Sequence, residues 1–166
     1  EAVNAYDEDS VKSTDKADLE QLKTDIKTLT DATNITEDER TNLGELDAKI
    51  DALIKKIDDT AAEIERIDEA VNGYDEETVK SSDKADLEQL KADIKALTDG
   101  QNITDGEREK LAELDAKLDA LLKKIADTQA EIDELGKNVD SYTEDSVKSS
   151  DSEDLAQLKE DIQNLI

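Results

Sequence analysis

The chain has 166 residues, 47 of them acidic and 21 basic, for a net charge of −26, with no Pro, Cys, Met, Trp, Phe or His. That acidic excess repels phosphate backbones and anionic lipid head groups, which argues against nucleic-acid and membrane-surface roles. The lack of Cys and His removes disulfides and the commonest metal ligands and catalytic bases.

Ala, Leu, Glu, Lys, Asp and Ile fill most positions, and these are helix formers or are tolerated on helix surfaces, so the expected fold class is all-α. A charge content of 41% is typical of chains too polar to bury a core. A regular seam of Leu and Ile argues against disorder in this one. Aligned with itself at an offset of 68, the chain matches at 47 positions over residues 1–68. The expected organisation is therefore a first repeat at 1–68, a second at 69–136 and a truncated third at 137–166, as in arrays built by tandem duplication. A chain that opens without Met and stops partway through a copy reads as a part of something longer.

Each copy opens on the tail of a helix and then an acidic connection, Asp7-Glu8-Asp9-Ser10 in the first. A short helix follows, for which Ser13 or Thr14 is the expected cap, with Asp15 and Asp18 near its positive end. Its apolar face carries Leu19, Leu22, Ile26 and Leu29 in the first copy, Leu87, Leu90, Ile94 and Leu97 in the second, and Leu155, Leu158, Ile162 and Leu165 in the third. After a short loop a long helix begins on a capping box, Thr36 with Glu39 and Thr104 with Glu107. Its seam runs through Leu43, Leu46, Ile50, Leu53, Ile57, Ile64, Ile67 and Val71, and again through Leu111, Leu114, Leu118, Leu121, Ile125, Ile132, Leu135 and Val139. Thr60 and Thr128 interrupt these seams. Glu45 with Lys49, Asp51 with Lys55, Glu113 with Lys117 and Asp119 with Lys123 have the acid-before-base order that supports a helix surface.

The lengths imply a topology. A helix of about 36 residues spans roughly 54 Å, so one short partner covers only half of it. Each long helix then serves two short ones, and short connections make neighbours antiparallel. The complete unit is an up-down-up three-helix bundle at about residues 55–122, with two-helix pieces on either side, and the whole is an elongated row of bundles sharing continuous helices. The alternative breaks the long helices near Asp58-Asp59-Thr60 and Asp127-Thr128, but neither Pro nor Gly stands there to enforce a break.

The strings YTEDSV at Tyr142 to Val147, ITEDE at Ile35 to Glu39 and ITDGE at Ile103 to Glu107, in this layout, resemble the three-helix repeats known as "found in various architectures". These are common in cell-wall-anchored proteins of Gram-positive bacteria. In size and helix order the unit is also similar to the albumin-binding type of bacterial module. The inserted KSTD or KSSD before the short helix, and its Asp and Lys content, depart from an Ala-rich pattern. The resemblance implies an extracellular location, with attachment to the cell wall through parts of a parent protein outside this sequence.

Little in the chain points to chemistry. Without His or Cys, a Ser, Thr, Lys or carboxylate nucleophile needs a partner held in a pocket, which thin bundles rarely form, so no enzyme, no catalytic residue and no cofactor are expected. The acidic strings at Asp7-Glu8-Asp9, Asp75-Glu76-Glu77 and 99–106 lack the ligand spacing of a calcium loop, and no metal is expected. Asn34-Ile35-Thr36 and Asn102-Ile103-Thr104 match a glycosylation acceptor, though helix capping by the Thr explains them better. Tyr6, Tyr74 and Tyr142 continue the seam three residues after its last Val and are expected to close the bundle ends. No apolar run approaches the ~18 residues of a membrane span. The expected role is a non-enzymatic spacer or stalk, monomeric in isolation. The alternative is a multivalent binding module, an adhesin, recognising a host serum or matrix protein.

Overall fold

The computed structural model describes residues 2–164, and over them the chain is all-helical. Its five helices are α1 (Lys16–Thr30), α2 (Glu37–Asn72), α3 (Lys84–Asp99), α4 (Asp105–Asp140) and α5 (Ser152–Asn164), with no strand among the described residues. The two long helices run unbroken through Thr60 and Thr128. Local chemistry accounts for this continuity: no Pro removes a donor, and the Thr60 hydroxyl donates to the Lys56 carbonyl at 2.9 Å, so it is satisfied within its own helix.

Both capping boxes form as the sequence predicts. The Thr36 N–H donates to Glu39 Oε2 at 2.8 Å while the Glu39 N–H donates back to Thr36 Oγ1 at 3.3 Å. Thr104 and Glu107 repeat the exchange at 2.7 and 3.2 Å. The short helices begin differently from expectation, because neither Ser13 nor Thr14 caps α1. Ser13–Asp15 forms a 3-10 turn, and the Asp15 carboxylate accepts the Lys12 N–H at 2.8 Å. Asp83 and Asp151 do the same for Lys80 and Lys148 at 2.9 and 2.8 Å. Each carboxylate thus makes a charge-assisted bond to the backbone ahead of its helix, and Asp15, at the N-cap position of α1, makes no side-chain cap bond to the helix itself.

The C-terminal ends of the short helices are closed from the next helix. Arg40, in the first turn of α2, donates to the carbonyls of Thr30 and Ala32, and Arg108 in α4 donates to those of Thr98 and Gly100. Those carbonyls lack intrahelical partners and lie at the negative end of the helix dipole, so a forked cation suits them.

Two apolar cores result. The first joins Val3, Val11, Leu19 and Ile26 to Ile50, Leu53 and Ile57 of α2, with Tyr6 packed against it. The second joins Ile64, Ile67 and Val71 of α2 to Leu87, Leu90 and Ile94 of α3 and to Leu111, Leu114, Leu118, Leu121 and Ile125 of α4, with Tyr74 alongside. One helix therefore supplies both cores. In the third copy Leu158 is buried and Leu155 half-buried, whereas Val139, Val147 and Ile162 are exposed, as is Ile132 at the end of the second; Leu165 lies outside the described residues.

The core is wholly apolar, with no buried charged or polar side chain among the described residues. Charges pair across its edges. Lys16 meets Asp58 at 2.6 Å, Lys110 meets Asp68 at 2.7 Å, and Lys91 bridges Asp115 and Asp119 at 2.6 and 2.9 Å. These contacts redirect the surface pairs expected from sequence: Asp51 is engaged by Lys23 and Asp119 by Lys91, while Lys55 and Lys123 reach forward to Asp59 and Asp127. A neighbouring helix offers those carboxylates a cation that the one-helix reading leaves out. Exposed pairs of this kind contribute about 0–1 kcal/mol each, so the fold rests on its apolar seams.

Leu118 is fully buried in the second core and Ile132 is half exposed. In urea denaturation Leu118→Ala will therefore cost about 2–5 kcal/mol through lost burial and a cavity, and Ile132→Ala will cost less than about 1 kcal/mol.

Candidate functional site

Separate repeats touch through loops at the junction between the first connection and the turn leading into α4. Its parts come from motifs that read as local. The acidic connection folds on itself, with the Asp7 carboxylate accepting the Asp9 N–H at 2.7 Å and the Val11 N–H donating to the Asp7 carbonyl at 2.9 Å. Asp75 makes the same turn with Glu77 at 2.7 Å. These carboxylates serve the backbone, as short Asx turns do. Among the described residues, no cluster of three or more carboxylates is placed to hold a metal ion.

Asn102 lies on the loop after α3 and donates its side-chain amide to two carbonyls of the first repeat, Glu8 at 2.6 Å and Val11 at 3.3 Å. Beside it Ile103 is buried in the second core. The matching triplet of the first copy has no such neighbour: Asn34 is exposed and Ile35 only half-buried. One tripeptide thus has two roles, a free loop at 34–36 and an inter-repeat clasp at 102–104.

Glu107 reports the same contact electrostatically. Burial opposes its ionisation, but the Thr104 N–H, the Thr104 hydroxyl, the Ser13 hydroxyl and the Lys12 charge together hold its carboxyl below the usual range. Glu39 is lowered by the Thr36 N–H and hydroxyl alone. Ser13 and Lys12 belong to the preceding repeat, so the neighbouring repeat helps to keep this carboxyl ionised.

Tyr6 and Tyr74 sit half-buried at the cores, as the seam predicts. Burial, then Asp18 and Asp15, push the Tyr6 hydroxyl up; burial, then Asp86 and Asp83, do so for Tyr74. An open groove runs between α1 and α2 past Lys23, Thr24, Lys27, Leu43 and Asp47, and recurs one repeat later past Lys91, Ala92, Lys95 and Asp115. What the arrangement does is tie the connection at residues 8–11 to the turn that leads into α4. Nothing in the sequence marks Asn102, Arg40 or Arg108 for these contacts, since Asn34 and Asn102 share the triplet Asn-Ile-Thr and the arginines look like ordinary surface cations.

No family model, no curated protein and no solved structure matches this chain. No described helix is long and apolar enough to cross a membrane.

Asn102→Ala removes two hydrogen bonds to backbone carbonyls and will cost about 1–2 kcal/mol, whereas Asn34→Ala will be near neutral, both read by urea denaturation. Glu107→Gln gives the pH test. A carboxyl lowered on folding adds stability above its unfolded pKa of about 4.3, and that stability is lost as pH falls through the lower folded value. The gap in melting temperature between the chain and its Glu107→Gln variant will be widest near neutrality and will close below about pH 4.5.

Proposed function

We propose that this chain is a non-enzymatic spacer: tandem three-helix bundles, packed up-down-up and antiparallel, that share long helices and hold other parts of a bacterial cell-surface protein apart. The observation that carries the reading is the division of α2 between two cores, since a helix buried at both ends in different bundles transmits direction from one to the next. Side-chain pairings support the packing directions. Lys16 meets Asp58 and Lys23 meets Asp51, so α1 and α2 numbers run oppositely, while Asp68 with Lys110 and Asn72 with Lys117 rise together in α2 and α4.

The mechanism is mechanical and electrostatic. Shared helices resist bending, the Asn102 clasp sets the angle between repeats, and the net charge of −26 keeps the surface hydrated and unaggregated. The resemblance to repeats found in various architectures and to albumin-binding modules supports an extracellular, wall-attached setting. In isolation the chain is then monomeric, with no bound cofactor.

Small-angle scattering tests the spacer directly. A compact chain of this length has a radius of gyration of about 15 Å, and a row of bundles will exceed about 20 Å. A value near the compact figure overturns the reading. Passing serum and matrix extracts over the immobilised chain tests the adhesin alternative: the spacer reading predicts no saturable partner, and a partner held at a fixed number per repeat would replace it.

A further inference from the structure

The chain displays in its middle what would cover the apolar face it leaves open at its far end. At an offset of 68, Ile64, Val71 and Ile94 correspond to Ile132, Val139 and Ile162. The first three are 6%, 0% and 3% exposed, packed in one core with Leu111, Leu114, Leu118 and Leu121 of α4. Their counterparts keep the same residue type yet are 49%, 43% and 36% exposed. The polar edge is kept as well. Lys91, which grips Asp115 and Asp119 of the covering helix, corresponds to Lys159, and Asn72, the partner of Lys117, corresponds to Asp140, a stronger acceptor for a lysine.

A second site tells the same story. Val11 is 2% exposed, beneath the clasp made by Asn102, while its equivalents open progressively: Val79 is half-buried and Val147 is 43% exposed. The connection at 75–80 therefore has the form of the first connection but lacks its clasp.

We propose that the face formed by the second half of α4 and by α5 is a docking site for one further amphipathic helix of this repeat's own kind. That helix carries leucines in the register of 111, 114, 118 and 121, and the Asn preceding it lands on the carbonyls of Glu76 and Val79. A second copy of the chain does not supply it, because residues 37–57 are already packed with α1 and residues 111–125 with α2 and α3. The inference goes beyond the spacer reading, since a helix-receiving face would serve a stalk or an adhesin equally.

The test extends the full chain after Ile166 with a second copy of residues 99–126, which preserves the repeat period, and follows amide exchange by mass spectrometry. Exchange over 132–162 will slow by about tenfold or more, toward that of 64–94, and exchange over 75–80 will slow with it. An extension whose four core leucines are changed to Asp will slow neither segment. Unchanged exchange with the leucine-bearing extension overturns the proposal, as does equal slowing with the Asp version or slowing confined to residues next to the join. Sedimentation of the unextended chain closes the remaining route: concentration-dependent self-association that protects 132–162 would make a second copy the occupant and overturn the proposal. Scattering and capture on the unextended chain report on the spacer independently, so the two readings fail separately.

Discussion

Everything in this structure depends on one apolar seam being divided between two cores. Ile50, Leu53 and Ile57 of α2 are buried in the first, and Ile64, Ile67 and Val71 in the second, with Thr60 at the seam position between them. Helices of the length of α1 and α3 are marginal alone in water, so each owes its order to the long helix it lies on. The long helix in turn keeps its middle straight because both halves are held. Loss of either core would leave half of α2 unsupported, which couples neighbouring repeats without a large interface between them.

Electrostatics shapes this arrangement without holding it together. The acidic excess stays at the surface, and cross-helix pairs such as Lys16 with Asp58 are solvent-exposed, where screening and side-chain entropy leave little net gain. The arginines contribute in another way, because Arg40 and Arg108 close helix ends whose carbonyls have no other partner.

The sequence made the helices legible because their signals are local and periodic: the seam spacing, and the Thr-Glu boxes at Thr36 and Thr104. It could not distinguish Asn34 from Asn102, because the difference lies outside the triplet, in whether a preceding repeat offers carbonyls to an amide. The same holds for Val11, Val79 and Val147, similar in context and graded in burial. The start of α1 differs for another reason: Ser13 and Thr14 are good capping residues, but they lie within a 3-10 turn whose Asp15 closes back on the Lys12 N–H. The surface pairs differ because acid-before-base spacing describes one helix alone, whereas Lys23 and Lys91 approach Asp51 and Asp119 from another.

If continuity of α2 is what orders the molecule, the distance along it must be fixed. Spin labels at Asp38 and Glu69, both exposed and at opposite ends of the helix, measure that by double electron–electron resonance. A continuous helix predicts a single narrow distribution near about 46 Å between the two backbone positions. A broad distribution, or one centred well below that length, would place a hinge at Thr60 and contradict the shared helix.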